Sequence, residues 1–196
     1  MVEWLFVPAA YLIGSISSAI IICHLMGLPD PREQGSGNPG ATNVMRIGGK
    51  KAAAITLLGD TLKGLIPVYA ANVLGMPVEL VAATGLAAFM GHLYPVFFSF
   101  KGGKGVATSV GVLLGFSWVL GFAFMATWYL VYKLGKISSF SALVASTLSP
   151  VFAWFIVGDK AIVTASVTMM VFLLWRHQGN IQRLLAGEES SKAKKS

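Results

Sequence analysis

Three polar segments of this chain place glycines close to cations and to hydroxyl or amide side chains, a combination suited to binding phosphate. The first covers residues 35–46, Gly-Ser-Gly-Asn-Pro-Gly-Ala-Thr-Asn-Val-Met-Arg. Glycines let backbone amides approach an anion, and the polar side chains donate hydrogen bonds to it. A polar surface turn is the alternative explanation, but the density of donors favours an anion site. The candidate ligands are Ser36, Gly37, Asn38, Thr42, Asn43 and Arg46.

The glycines of this first segment also spell G-x-G-x-x-G, the pattern of dinucleotide-binding proteins. That fingerprint requires a preceding strand within a βαβ unit. Here a long apolar run, typical of a transmembrane helix, comes first. We therefore reject a nucleotide site.

The second segment covers residues 100–108, Phe-Lys-Gly-Gly-Lys-Gly-Val-Ala-Thr. It is not a Walker A motif, because Gly105 stands where Ser or Thr must follow the lysine and Phe98 stands where a glycine is needed. The turn nevertheless opens a helix, whose free amides and dipole attract phosphate. Lys101 could instead anchor the helix end to the lipid surface. The candidate ligands are Lys101, Gly102, Gly103 and Lys104.

The third segment covers residues 176–187 and contains a histidine, an asparagine and two arginines. On a helix His177 and Asn180 share one face, with Arg183 nearby. A juxtamembrane basic helix that binds anionic lipid is the alternative. That role needs neither histidine nor asparagine, so we favour a site with a base, an amide and a cation.

Other polar residues are less specific. Asp60 and Lys63 lie one helical turn apart inside an apolar run, where charges are costly and usually functional, although such a pair could also be purely structural. The hydroxyls of Ser138, Ser139 and Ser141 begin a helix and could cap it or contact an anion; Ser141 is counted among the candidate ligands.

One cysteine, three dispersed histidines and no H-E-x-x-H pattern predict neither a metal nor a cofactor.

Composition indicates which elements must position these segments. Of 196 residues, 55% are hydrophobic and only 12% are charged, about half the charged fraction of an ordinary soluble domain. Mean hydropathy is +0.71. A water-soluble globule and a nucleic-acid-binding surface are therefore excluded. Because a span takes about 20 apolar residues, we predict an all-α transmembrane helical bundle that forms a single membrane domain over residues 1–196.

The number of spans follows from the lysines and arginines. The apolar runs are 4–26, 52–74, 78–100, 106–132, 140–157 and 161–175. If the run 106–132 crosses once, Lys133, Lys136 and the basic tail at 188–196 lie outside, against the positive-inside rule. A turn near residues 115–121 returns them to the cytoplasm. We therefore predict seven spans, some of them short, with the N-terminus outside, the C-terminus cytoplasmic and all three polar segments on the cytoplasmic face.

The three segments closely resemble, in order, the three motifs of the PlsY family. These are bacterial integral-membrane acyl-phosphate:glycerol-3-phosphate acyltransferases, and the resemblance extends over nearly the whole chain. It implies seven spans in the cytoplasmic membrane and transfer of a fatty acyl group from acyl-phosphate to the 1-hydroxyl of glycerol 3-phosphate. The products would be lysophosphatidic acid and phosphate. A transient contact with an acyl-phosphate synthase is a further expectation.

Roles for individual residues follow from this resemblance. Ser36, Arg46 and Lys104, with the amides near Gly102 and Gly103, would hold the two phosphates. Asn180 would orient the glycerol hydroxyl, and either His177 or a substrate phosphate oxygen would accept its proton. The expected catalytic residues are therefore His177, Asn180 and Lys104.

Other functions are weighed against this one. The His-x-x-x-x-Asp dyad of many glycerolipid acyltransferases is absent, since Pro29, Phe97 and Gln182 stand five residues beyond the histidines. A transporter of a phosphorylated anion would also use cationic loops, but it should expose a site to both faces. A lipid-binding scaffold accounts for the basic tail and not for the three segments.

Overall fold

The computed structural model describes residues 2–189, within which the chain forms only helices. This confirms the all-α prediction. Most of the predicted basic tail, from residue 190 onward, lies outside the described residues. Two short 3₁₀ helices cover Val2–Leu5 and Val96–Phe98. The α-helices are α1 (Phe6–Gly14), α2 (Ser18–Leu25), α3 (Ala41–Val73), α4 (Val78–Leu93), α5 (Val106–Phe116), α6 (Trp118–Gly135), α7 (Ser138–Ile156), α8 (Lys160–Arg176) and α9 (Gln178–Leu185).

Two helical segments, Val78–Phe98 and Ser138–Ile156, are long and apolar enough to cross a membrane. Helices α1 and α2 are bent by 41° at the residues between them. If the two helices together form one broken span, they provide a third candidate. Large apolar side chains face outward, for example Leu58 at 59% and Phe155 at 80% exposure. Such an apolar exterior is expected where lipid, and not water, surrounds the bundle.

The long apolar run 106–132 is divided into two helices. Helix α5 ends at Phe116 and α6 begins at Trp118, with Ser117 between them in an extended conformation. The break therefore lies inside the range 115–121 where the charge argument predicts a turn. Helix α5 has only 11 residues, about 17 Å at 1.5 Å per residue, which is shorter than the hydrocarbon core.

Helices α3 and α5 touch backbone to backbone. A Cβ at Gly64 would lie 2.4 Å from the Thr108 carbonyl oxygen, and one at Gly111 would lie 2.0 Å from that of Thr61. Small residues allow this close approach in membrane bundles. Contacts advance along both helices together, from Gly64 with Thr108 to Val68 with Gly115. The two helices are therefore parallel, and α5 begins beside the middle of α3.

The interior contains a main apolar core and a smaller one. The main core includes Phe89, Leu113 and Phe124 from α4, α5 and α6, all buried. The smaller core joins Cys23 of α2 to Val44 of α3. The smaller core therefore packs together the two helices that lie before and after the first polar segment.

Candidate active site

The second and third polar segments meet through Lys104 and Asn180. The Lys104 ammonium donates a hydrogen bond to Asn180 Oδ1. Burial, followed by the charge of nearby Arg183, lowers the pKa of Lys104 to about 8, against the opposing effect of Glu189. The ammonium remains mostly charged at neutral pH, and an anion bound beside it would raise its pKa again. These two predicted catalytic residues are therefore brought together.

His177 lies at the end of α8, beside this contact, and is only 3% exposed. Its Nδ1 lies 2.8 Å from the Leu173 carbonyl oxygen, so we assign the tautomer in which Nδ1–H donates and Nε2 keeps a lone pair. Burial is the main cause that lowers the pKa of His177 to about 4, with Lys104 adding to it. The ring is neutral at pH 7, which a general base requires.

The glycines of the second segment are enclosed between α4 and α8. The Gly103 N–H donates to the His92 carbonyl oxygen at 3.2 Å. Arg176 donates from Nη2 to the Gly102 carbonyl oxygen at 2.8 Å and from Nε to that of Gly103 at 3.2 Å. The amide of Gly103, predicted as a phosphate ligand, therefore already has a backbone partner.

Glu189 is part of this site, although it is not among the candidate residues predicted from the sequence. Its carboxylate accepts hydrogen bonds from Ser139 Oγ at 2.6 Å, Asn180 Nδ2 at 2.5 Å and Arg183 Nε at 2.6 Å. Burial raises the pKa of Glu189, but these three hydrogen bonds outweigh it and lower the pKa below its ordinary value. The donors thus hold a negatively charged group next to Lys104.

A sequence feature could have revealed Glu189. Gly187 follows α9 in the left-handed conformation, with φ of 70°, and such a glycine turns the chain at the end of a helix. The turn brings the backbone N–H groups of Glu188 and Glu189 to the Arg183 carbonyl oxygen and the Glu189 carboxylate to the Arg183 guanidinium. By sequence alone, both acidic residues belong to the predicted basic tail at 188–196.

The first segment is organised by Asn43. This side chain is 1% exposed; its Oδ1 accepts from the Ser36 N–H at 2.9 Å, and its Nδ2 donates to the carbonyl oxygens of Pro31 and Gln34 at 2.8 and 2.9 Å. Its amide is engaged within the loop, so we expect Asn43 to shape the segment instead of binding substrate. The loop reaches the second segment, because a Cβ on Gly103 would lie 3.1 Å from the Pro39 carbonyl oxygen.

The remaining predicted ligands fall into two groups. Ser36, Gly37, Thr42, Arg46 and Lys101 are exposed and Asn38 is half-buried, and Arg46 is close enough to Lys104 to affect its pKa. Ser141 is buried, and its Oγ donates to the Ile137 carbonyl oxygen at 2.9 Å. This bond to the backbone four residues earlier is not a cap, and the start of α7 has no side-chain cap. Ser139 is the hydroxyl of that helix start that contacts the charged cluster.

Asp60 and Lys63 form a buried ion pair, with 2.8 Å between Lys63 Nζ and Asp60 Oδ1. The same ammonium donates to the Ile16 carbonyl oxygen at 2.7 Å, in the break between α1 and α2. His92 Nδ1 lies 3.7 Å from Asp60 Oδ1. The pair therefore supports three helices behind the second segment, and it does not contact Lys104 or His177 in the described part of the chain. No group of three or more His, Cys, Asp or Glu side chains within residues 2–189 is placed to hold a metal ion.

Comparison with known proteins gives consistent matches over almost the whole chain. Residues 4–187 match the family described as glycerol-3-phosphate acyltransferase. A protein of that name from Methylococcus capsulatus is 57% identical over 189 residues, 96% of each chain. Another from Thioalkalivibrio sulfidiphilus is 56% identical and covers 93% of this chain and 90% of its own.

Two solved structures of PlsY, an integral membrane glycerol 3-phosphate acyltransferase, have the same fold. The glycerol 3-phosphate form superposes with a TM-score of 0.93 at 36% identity, covering 98% of this chain and 96% of that one. The lysophosphatidic acid form gives a TM-score of 0.90 at 35% identity, covering 97% and 95%.

Proposed function

Because this chain belongs to the glycerol-3-phosphate acyltransferase family of PlsY, we propose that it transfers a fatty acyl group from acyl-phosphate to the 1-hydroxyl of glycerol 3-phosphate. It is an integral membrane acyltransferase that converts glycerol 3-phosphate to lysophosphatidic acid, a step of phospholipid biosynthesis. The observation that carries the proposed chemistry is the contact between Lys104 and Asn180 beside the neutral ring of His177.

The proposed acyl-phosphate donor comes from the resemblance to the PlsY family, and charge and leaving-group chemistry support it. Acyl-phosphate is a mixed anhydride whose phosphate leaves readily, so a weak base suffices. A reaction between two phosphorylated substrates needs several cations at one place, and Arg46 and Arg183 lie close enough to Lys104 to influence its pKa. These charges would stabilise the negative charge that develops as the acyl carbonyl is attacked.

The proposed step moves one proton and one acyl group. The 1-hydroxyl of glycerol 3-phosphate loses its proton to His177 Nε2 or to a phosphate oxygen of the substrate, and its oxygen forms an ester bond with the acyl carbon. The bond between that carbon and the phosphate oxygen breaks, and inorganic phosphate leaves. Asn180 orients the hydroxyl, and Lys104 neutralises a phosphate. The exposed Ser36 and Arg46 of the first segment would hold the second phosphate.

We further propose seven spans in the bacterial cytoplasmic membrane, with the N-terminus outside and the active site on the cytoplasmic face. Several observations support this orientation. Helices α3 and α5 are parallel, α6 starts immediately after α5, and Glu79 and Lys160, at the starts of α4 and α8, border one groove. The cations of all three segments would then lie inside, where an acyl-phosphate synthase could make transient contact.

A donor comparison tests the proposed reaction. The purified protein in lipid vesicles receives radiolabelled glycerol 3-phosphate with palmitoyl-phosphate, with palmitoyl-CoA or with no donor. We expect label in lysophosphatidic acid with palmitoyl-phosphate alone. Product formed only with palmitoyl-CoA would show that the donor is a thioester and not acyl-phosphate. Uptake of label into sealed vesicles without product would favour a transporter.

A further inference from the structure

We propose that Arg176 is a positioning residue of the acyl transfer reaction, which holds the Gly102–Gly103 turn so that Lys104 faces the substrates. This inference rests on the function proposed above. The guanidinium contacts two successive carbonyl oxygens of the turn and lies 5.9 Å from the centre of the Tyr94 ring. A planar fork of donors is suited to bridging two acceptors, and a lysine ammonium is not.

The turn depends on contacts with the neighbouring helices for its shape. Residues 101–104 form no regular secondary structure. On the α4 side, the Gly103 N–H donates to the His92 carbonyl oxygen, and a Cβ at Gly102 would lie 2.1 Å from that same oxygen. Arg176 contacts the opposite side. The backbone is thus held between the last turn of α4 and the last residue of α8, immediately before Lys104.

The position of Arg176 in the chain connects this support to the rest of the site. It directly precedes His177, and one turn later Asn180 accepts from Lys104. Arg176 therefore fixes the distance between the segment that carries Lys104 and the segment that carries the candidate base. Its Nε and Nη2 are occupied by carbonyl oxygens, so its contribution comes through the turn.

Three variants separate this role from a general electrostatic one. Arg176→Lys keeps the charge but cannot bridge both carbonyl oxygens, Arg176→Met keeps the length without the charge, and Arg176→Ala leaves a space that a small guanidinium compound can enter. Lys160→Met is the matched control, because Lys160 is an exposed cation at the other end of the same helix. Each protein is checked for thermal unfolding and size in detergent.

The assay measures kcat and KM for both substrates with palmitoyl-phosphate as donor. We expect kcat/KM to fall at least tenfold in both Arg176→Lys and Arg176→Met, without change in Lys160→Met. Methylguanidinium should restore several-fold activity to Arg176→Ala, and methylammonium at the same concentration should not.

Three results would overturn the inference. Wild-type kinetics in Arg176→Lys would show that only the positive charge of Arg176 matters. Failure of Arg176→Lys to fold would show that Arg176 has a purely structural role. Equal rescue of Arg176→Ala by methylguanidinium and methylammonium would show that a planar pair of donors is not needed. An inactive wild-type protein would instead contradict the proposed function itself.

Discussion

At the scale of single residues, burial gives Lys104 and His177 their chemical states. Burial disfavours the charged form of either group, so it makes the imidazole neutral and brings the ammonium closer to titration. Burial therefore leaves His177 able to accept a proton, and it lets a bound anion raise the charged fraction of Lys104.

The first prediction concerns the alkaline side of the pH profile. The pKa of Lys104 is lowered to about 8, so the free enzyme loses this positive charge as the pH rises through 8. Because kcat/KM reports the free enzyme, we expect it to decline above about pH 8. Lys104→Arg cannot titrate in this range, and any remaining activity should show no such decline. An unchanged decline in that variant would assign it to another group.

The second prediction concerns the base. The pKa of His177 is lowered to about 4, so the ring stays an acceptor from pH 8 down to well below 6. If His177 accepts the proton, His177→Ala and His177→Gln both lower kcat at least tenfold, about 1.4 kcal/mol of barrier. The check is initial rates at saturating substrate, with folding confirmed. Wild-type kcat in His177→Gln would leave a substrate phosphate oxygen as the base.

At the scale of the elements, close contact between the second segment and α4 requires glycine. A Cβ at Gly103 would lie 2.3 Å from His92 Nε2, closer than real contacts allow. We expect Gly103→Ala to displace the turn and lower kcat/KM at least tenfold in protein that still folds. Gly135→Ala is the control, since no atom lies within 4 Å of its added methyl group. Equal activities of the two variants would contradict a rigid turn.

The buried ion pair gives another prediction at this scale. Asp60→Asn leaves the Lys63 ammonium without its counter-ion in the interior, and breaking such a pair costs about 3–5 kcal/mol. The double variant Asp60→Leu/Lys63→Leu removes both charges. Its loss of unfolding free energy should be smaller than the summed losses of the single variants Asp60→Leu and Lys63→Leu. Thermal or denaturant unfolding in micelles measures the difference. Additive losses would show that the two groups are not coupled.

The elements also show how far sequence alone could reach. The helices and the break in the run 106–132 follow from hydropathy and charge, whereas the joint roles of Lys104 and Asn180 are implied only by the resemblance to the PlsY family. The roles of Asn43 and Arg176 follow from neither, because both residues bind carbonyl oxygens of chain segments that only the fold brings near. Glu189 was missed for a related reason: its partners come from α7 and α9, and the turn at Gly187 places it between them.

At the scale of the whole molecule, the path of the chain through the membrane decides which side the site faces. If α5 and α6 each cross, the start of α8 is outside and the end of α9 is cytoplasmic. If the run 106–132 crosses once, both assignments are reversed. The positions that distinguish the two paths are Lys160 and Glu188, both exposed.

Single cysteines at these positions test the path. In a Cys23→Ala background that retains activity, a membrane-impermeant maleimide added to intact cells should label Lys160→Cys, and Glu188→Cys only after permeabilisation. Glu33→Cys is a cytoplasmic control, since both paths place it inside. The opposite labelling would mean six spans, and it would put the end of α9 on the side of the membrane opposite the loop that carries Lys104. Because Lys104 and Asn180 are in contact, seven spans are the count that keeps both on one side.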